Sequence, residues 1–301
     1  MGRIVSIGEC MVELSGGEGG MYRLGFAGDT LNSAYYLKAR LGENWQVDYF
    51  TSVGDDLYSS QMVDHIGKCG IGTGHIARLK GKRAGLYMIH QAEGDRHFTY
   101  WRDTSAAKTL ADDPARLETA LDGADVIYFS GITLAILSDA ARQTLLAAIG
   151  DKRERGVKVC FDPNIRPALW ASKDAVRAAL MAAARVSTIV LPTHEDEVPY
   201  FEDANARATL ERYMDAGVSE VVVKNGSDPA LIGADGQLFE VSASNVETVV
   251  DATGAGDSFN GGYIAARLNG VDPEAAGKAG HATAAIVIGH HGALVPRDVL
   301  G

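Results

Sequence analysis

The sequence predicts an α/β layer fold, a mostly parallel sheet covered by helices on both faces and carrying a small β appendage. Three observations predict it. From residue 125 onward, short continuous apolar runs alternate with helix-length amphipathic runs, the pattern of βαβ units whose strands are buried on both faces. Polar residues collect at the ends of those runs: Ser130-Gly131, Asp162-Pro163-Asn164-Ile165-Arg166, Thr193-His194-Glu195-Asp196 and Lys224-Asn225-Gly226-Ser227-Asp228. Ligands of parallel sheets bind at the carboxyl ends of the strands, so these segments predict one site along one edge. Earlier in the chain, runs at 84–90 and 96–102 flank Glu93-Gly94-Asp95 and predict a β-hairpin, a piece too small to stand alone.

Taken in order, residues 3–8 form a short apolar strand, and 11–14 continue with alternation into a Gly-rich turn at 16–20. In Gly25-Phe26-Ala27-Gly28-Asp29-Thr30-Leu31-Asn32, Asp29 or Thr30 is placed to cap a helix whose apolar face is Leu31, Ala34, Tyr35 and Leu37. Gly28 then lies where a ligand can approach the backbone. A second strand at 47–53 is followed by a helix at 57–68. The hairpin carries aromatics on both strand parities and must cover something, so a lid over the site is expected, formed mainly by about 11–24 and 84–102. Its outer face would leave an apolar patch in water unless it met another lid, which predicts a homodimer or a larger assembly of dimers.

The regular part then reads strand 126–130, helix 138–149, strand 157–162, helix 174–185, strand 188–191, helix 206–216 and strand 220–224. A second hairpin, 231–233 and 238–240 around Ala234-Asp235-Gly236, predicts an antiparallel edge. The β-branched run 247–250 reads as the end of a strand, and helices at 258–268 and 273–288 follow. No internal repeat or low-complexity linker divides residues 1–301, so a single domain is expected.

Composition narrows the function. With 46% hydrophobic and 22% charged residues the chain is that of a globular protein, and no run approaches the roughly eighteen apolar residues of a membrane span. The start runs into a strand pattern with a charge at Glu9, unlike a signal peptide, so a cytoplasmic location is expected. Cys10, Cys69 and Cys160 are far apart and in no metal spacing, as reduced thiols are. A net charge of −11 argues against nucleic acid as a partner. It also means that anionic substrates need locally concentrated Arg, Lys and backbone N–H groups.

One stretch has the means for phosphoryl transfer. In Gly254-Ala255-Gly256-Asp257 small residues let successive backbone N–H groups converge, and Phe259, Tyr263, Ile264 and Leu268 have helical spacing. The glycines therefore fall at a helix N-terminus, where orphan N–H groups and the dipole favour an anion. Asp257 falls in the first turn, where a carboxylate serves either as an N-terminal charge or as a proton acceptor beside the anion cradle. The second arrangement suits transfer of a γ-phosphoryl group to an alcohol.

The stretch Asp251-Ala252-Thr253-Gly254-Ala255-Gly256-Asp257-Ser258-Phe259 resembles the carboxyl-terminal signature of the ribokinase-like (PfkB) sugar kinases. The resemblance implies a three-layer αβα sandwich with a small β-sheet lid, Asp257 as catalytic base, and Gly254, Ala255 and Gly256 as the anion hole. Gly28-Asp29-Thr30-Leu31-Asn32 is similar to the sugar-binding turn of the same family, which gives Gly28, Asp29 and Asn32 to the sugar. Within that family, Gly8-Glu9-Cys10-Met11-Val12-Glu13-Leu14-Ser15, Phe98-Thr99-Tyr100-Trp101-Arg102 and Phe161-Asp162-Pro163-Asn164-Ile165-Arg166-Pro167 resemble the 2-keto-3-deoxygluconate kinases. So does Ser130-Gly131-Ile132-Thr133-Leu134-Ala135-Ile136-Leu137-Ser138.

That narrower likeness implies ATP-dependent phosphorylation of a sugar acid at its C6 hydroxyl, with Tyr87, Tyr100, Arg102 and Arg166 on the acid. A carboxylate is matched by charge-assisted Arg contacts that a neutral sugar does not need. Arg166 also has a reading toward the ATP phosphates. For ATP the resemblance implies Asn164, Arg166, Lys224, Asn225, Gly226, Ser227 and the 254–256 cradle. Mg2+ is expected to arrive with ATP, Asp196 being the best match by spacing to a carboxylate of its shell, and a monovalent cation is a candidate near Asp251 and Thr253. His281 is a candidate for the adenine side. Two other readings stay open, a kinase of a neutral ketose such as fructose and a catalytically silent sugar-sensing module.

Overall fold

Alternation of strands and helices builds two sheets in the protein, which a computed structural model describes at residues 1–16, 18–92, 95–244, 246 and 248–301. The strands are β1 (Gly2–Ile7), β2 (Met11–Gly16), β3 (Tyr22–Ala27), β4 (Trp45–Gly54), β5 (Ile76–Leu79), β6 (Gly85–Ala92), β7 (Asp95–Trp101), β8 (Val126–Ser130), β9 (Lys158–Asp162), β10 (Ile189–Val190), β11 (Glu220–Val223), β12 (Ala230–Ala234) and β13 (Gln237–Val241). The helices are α1 (Asp29–Leu41), α2 (Leu57–Lys68), α3 (Pro114–Leu121), α4 (Gly131–Ile136), α5 (Asp139–Glu154), α6 (Lys173–Arg185), α7 (His194–Phe201), α8 (Ala206–Asp215), α9 (Ala255–Leu268) and α10 (Pro273–Ile288).

The large sheet runs β13-β12-β11-β10-β9-β8-β1-β4-β5. β1 pairs in parallel with β4 on one side, Ile4 opposite Val47, and with β8 on the other, Ile4 opposite Val126. Only β12 runs against the other strands, pairing antiparallel with β11 and with β13, at the edge that the second hairpin predicted. Because successive strand residues point to opposite faces, the same strands feed two cores. Ile4, Val47, Tyr49, Val126, Tyr128 and Cys160 pack with α1, α9 and α10, whereas Val5, Ile7, Phe50, Ile127, Phe129 and Phe161 pack with α3, α5 and α6. The result is a three-layer αβα sandwich, as expected. Each such side chain contributes about 1.5–3 kcal/mol on full burial, so continuous apolar strands are what hold the middle layer.

The second sheet, β3-β2-β6-β7, gathers the two segments read as a lid. Glu13 of β2 lies between Gly25 and Tyr87, and Tyr87 faces Tyr100 across β6 and β7. Glu93 and Gly94 of the hairpin turn, and Gly17 of the Gly-rich turn, lie outside the described residues.

Several expectations are corrected. Residues 248–250 are not a strand: the N–H groups of Val250 and Asp251 donate to the Ile288 carbonyl at 2.8 and 3.1 Å, hanging the segment from the end of α10 (Glu247 lies outside the described residues). α9 starts at Ala255, three residues before the expected start. Thr193-His194-Glu195-Asp196, read as a polar strand end, opens the eight-residue α7, whose Pro199 interrupts the helical pattern despite an acidic first turn. α3 and the six-residue α4 carry too short a period to be read from sequence.

Neither Asp29 nor Thr30 caps α1. Gly28 is the N-cap with no side-chain bond, and the Asp29 carboxylate instead accepts from Asn164 Nδ2 at 3.0 Å. α9 is likewise uncapped, behind Gly254. By contrast Asp56, Ser138, Ser172, Asn205 and Asp272 cap α2, α5, α6, α8 and α10 in the ordinary way. Side-chain caps satisfy orphan N–H groups, so a helix left without one keeps those donors for something else.

Candidate active site

Three helix starts without a side-chain cap, those of α1, α7 and α9, open on one cleft of about 1070 Å³ at the carboxyl ends of the strands, with the small sheet forming its far wall. Its floor begins at α9. Gly254 takes φ 78°, a left-handed conformation that suits glycine, and a Cβ there would lie 2.9 Å from the Ala293 carbonyl oxygen. The preceding turn is pinned by Asp251, which accepts the N–H of Thr253 at 2.9 Å and of Gly292 at 2.7 Å. Gly256 follows within reach of Lys224: a Cβ there would make an ordinary contact with the ammonium at 3.5 Å.

Asp257 stands half-buried beside this cradle and accepts from Asn32 Nδ2 at 2.8 Å. Its carboxyl is pushed up from the usual 3.8 to about 7, by removal from water first and by the negative charges of Asp29 and Asp162; the Asn32 bond and Lys224 oppose the shift. A carboxylate with that proton affinity is matched to taking a proton near neutral pH. Burial also raises Asp29 and Asp196, and for Asp196 the nearby Arg166 and Lys224 hold the shift back.

Beneath the floor is a buried polar cluster. Lys224 Nζ donates to Asp162 and Asn260 at 3.2 Å each, and Asn260 Nδ2 donates to Asp162 at 2.7 Å and to the Tyr128 hydroxyl at 3.1 Å. The cation is thus fixed by hydrogen bonds beside the helix N-terminus. The opposite wall is aromatic: the Tyr87, Phe98 and Tyr100 rings lie 5.8–6.3 Å apart. Tyr87 donates its hydroxyl to Glu13, and burial together with that carboxylate raises its pKa. Arg102 lies over the Tyr100 ring at 5.8 Å and pairs with Glu9.

Gly28, Asp29, Asn32, Tyr87, Tyr100, Arg102, Asn164, Arg166, Asp196, Lys224, Asp251, Thr253, Gly254, Ala255, Gly256 and Asp257 all line this cleft. Asn225, Gly226 and Ser227 follow β11 but are not among the lining residues. His281 is turned into the helix layer, its ring nitrogen 3.2 Å from the Val241 carbonyl and its ring edge-on to Phe259. The strand-end segments that contain Asp162 and Thr193 do line the cleft as expected, whereas sequence reasoning missed Glu9, His97 and His291 in the lining, and Asn260 below it. Two had a signal: Glu9 is a charge inside an apolar run, and Asn260 is an amide inside the apolar period of α9. Among the described residues no three His, Cys, Asp or Glu side chains gather as a metal cage, and no helix is long and apolar enough to cross a membrane.

Known proteins show the same arrangement of chain. The 2-dehydro-3-deoxygluconokinase of Dickeya dadantii (strain 3937) is 41% identical over 99% of this chain and 98% of its own length. The enzyme of that name from Escherichia coli (strain K12) is 39% identical over 99% and 98%. The crystal structure of a fructokinase with bound ATP from Xylella fastidiosa superposes with a TM-score of 0.82 at 20% identity, covering 97% of this chain and 93% of that one, a likeness of fold. The model of the pfkB family carbohydrate kinases matches residues 1–299, and the chain belongs to that family.

Proposed function

We propose that the protein transfers the γ-phosphoryl group of ATP to the C6 hydroxyl of 2-keto-3-deoxy-D-gluconate, giving 2-keto-3-deoxy-6-phosphogluconate and ADP. The relatives named for this compound, also called 2-dehydro-3-deoxygluconate, support the substrate. The observation that carries it is the presence of two guanidinium groups, Arg102 and Arg166, in the cleft that holds Asp257, in a chain of net charge −11. Asp29 and Asn32 hold sugar hydroxyls, and Asp257 takes the proton of the C6 hydroxyl as its oxygen bonds to the γ-phosphorus. The bond from that phosphorus to the β,γ-bridging oxygen breaks, and ADP leaves with the electron pair. The α9 N–H groups and Lys224 stabilise charge on the transferring group, which is where positioning and electrostatics do most in such reactions.

Asn164 and Arg166, with the turn at Asn225, Gly226 and Ser227, are assigned to the nucleotide. A magnesium ion carried by the phosphates would neutralise their charge, and Asp196, which lines the cleft, is the residue that would help hold it; among the described residues no cluster of ligands forms a protein cage. Asp251 and Thr253 stay assigned to a candidate monovalent cation. Residues 1–301 act as one kinase unit with the small sheet as lid.

The test is ATP consumption with a panel of sugar acids and neutral sugars; a preference for 2-keto-3-deoxygluconate is expected, and a preference for fructose overturns the reading. A neutral ketose is favoured by one observation, the neutralisation of Arg102 by Glu9. A silent sensor has no use for a carboxylate tuned to about 7. Arg102→Ala should lower kcat/KM for the acid by about ten- to a hundredfold while the neutral ketose loses much less. Equal losses on both would assign Arg102 to the lid or the phosphates.

The cross-strand register puts Leu14, Leu24, Met88 and Trp101 on the face of the small sheet opposite Glu13, Tyr87 and Tyr100, and Trp101 is 55% exposed. We expect a second copy to cover that face. Sedimentation at micromolar concentration should give a dimer or a multiple of it; a monomer counts against this assembly.

A further inference from the structure

We infer that Glu9 is the positioning residue for Arg102 and, resting on the sugar-acid reading above, that it sets the enzyme's discrimination between an acid and a neutral sugar. Glu9 sits on the crossover from β1 to β2 and is only 2% exposed. Its carboxylate accepts from Arg102 Nη2 and from the Ser105 hydroxyl, both on the chain leaving β7. Two glycines keep room for it: a Cβ on Gly28 would lie 2.1 Å from the Glu9 carbonyl oxygen, and one on Gly85 would lie 2.8 Å from Oε1. Gly28 ends the passage from β3 to α1, and Gly85 begins β6. Glu9 is thus packed against every other place where the chain enters or leaves the small sheet.

A buried charge at such a junction is expensive unless it is paired, and this one is paired at a guanidinium whose side chain is 10% exposed. Arg102 is only partly satisfied: its Nε is buried and has no acceptor among the described residues. Glu9 holds the guanidinium at Nη2, and Arg102 lines the cleft, so the group is fixed in orientation while its fork keeps N–H capacity for an oxygen anion beyond the one bond to Glu9. Without Glu9 the long side chain has no reason to stay buried, since its stem can lie along apolar surface with the head in water. Holding the group therefore outweighs the charge that Glu9 cancels.

The test is a double-mutant cycle with Glu9→Gln and Arg102→Ala, reading kcat and KM for 2-keto-3-deoxygluconate, a neutral ketose and ATP, with thermal melts. Glu9→Gln should raise KM for the acid by about tenfold, with kcat and the KM for ATP within about twofold and the ketose little changed. In the Arg102→Ala background the same substitution should have no further effect on the acid, and the double variant should melt above Arg102→Ala, which leaves Glu9 buried and unpaired. Equal losses on both sugars, an additive cycle, or a rise in preference for the acid would overturn the inference, the last by showing that Glu9 competes with the substrate. Should the wild-type enzyme not prefer the acid, the functional reading itself fails, whatever the cycle gives.

Discussion

Asp257→Asn should leave the fold and substrate binding intact while kcat drops by about 10²- to 10⁴-fold, the usual worth of a positioned base. The amide keeps the shape and can still accept from Asn32, now 2.8 Å away, so lost proton transfer is what the experiment isolates. In the wild type, kcat/KM should rise with pH through about 7, as the raised carboxyl gives up its proton, and this limb should vanish in the variant. Stability gives a second sign. The folded-state value of about 7 lies above the ordinary 3.8, so between these values the folded protein keeps a proton that the unfolded chain has lost. That group's contribution therefore falls as pH rises across the window, and Asp257→Asn should flatten the decline seen in thermal melts. A near-normal turnover number would remove Asp257 from the chemistry.

Gly254→Ala should damage turnover through the start of α9, although it changes only a single hydrogen to a methyl group. The residue holds φ 78°, where an L side chain costs about 1–2 kcal/mol, and the new Cβ would meet the Ala293 carbonyl at 2.9 Å. The start of α9 must shift, and a displacement near 1 Å at a reacting group costs about 10²-fold in rate. Gly270→Ala separates the two effects. Gly270 has φ 82° but nothing within 4 Å, so it should lower the melting temperature without touching kcat. If both variants lose turnover alike, the anion cradle is not what Gly254 protects.

Much of this architecture was legible in the sequence because local chemistry and global fold agree. The helix Leu57–Lys68 was readable with its end only approximate, and in the structure Asp56 caps its start. The cleft was legible because strand ends in a parallel sheet share one edge, so Asp162, Asn164, Thr193, Asp196 and Lys224 had to converge. The failures have physical causes. Val249 and Val250 look like a strand by side chain, but they hydrogen-bond to the end of α10 or stay exposed. Asp29 looks like a cap, yet Asn164, distant in sequence, captures its carboxylate. Glu9 and Asn260 escaped because a polar residue in an apolar run shows that a partner exists without showing which.

The large sheet has a seam where β1 pairs with β8, and the cleft takes residues from chain on both sides of it, Glu9 after β1 and Ile132, Asp162, Thr193 and Lys224 at or after the ends of β8 to β11. Asn32 reaches Asp257 across 225 residues of chain, and Asn164 reaches Asp29 across 135. By contrast β8, β9, β10 and β11 follow one another through single crossovers and can form from neighbouring sequence. Closing the long loops costs entropy before their contacts return anything, so the seam belongs to the last steps of folding. A chain with most of its helices and strands in place still lacks Asp257 docked beside the turn at Asn32, the arrangement that the proposed reaction needs. Partly folded molecules are therefore silent toward ATP, and during refolding the recovery of activity trails the recovery of secondary structure.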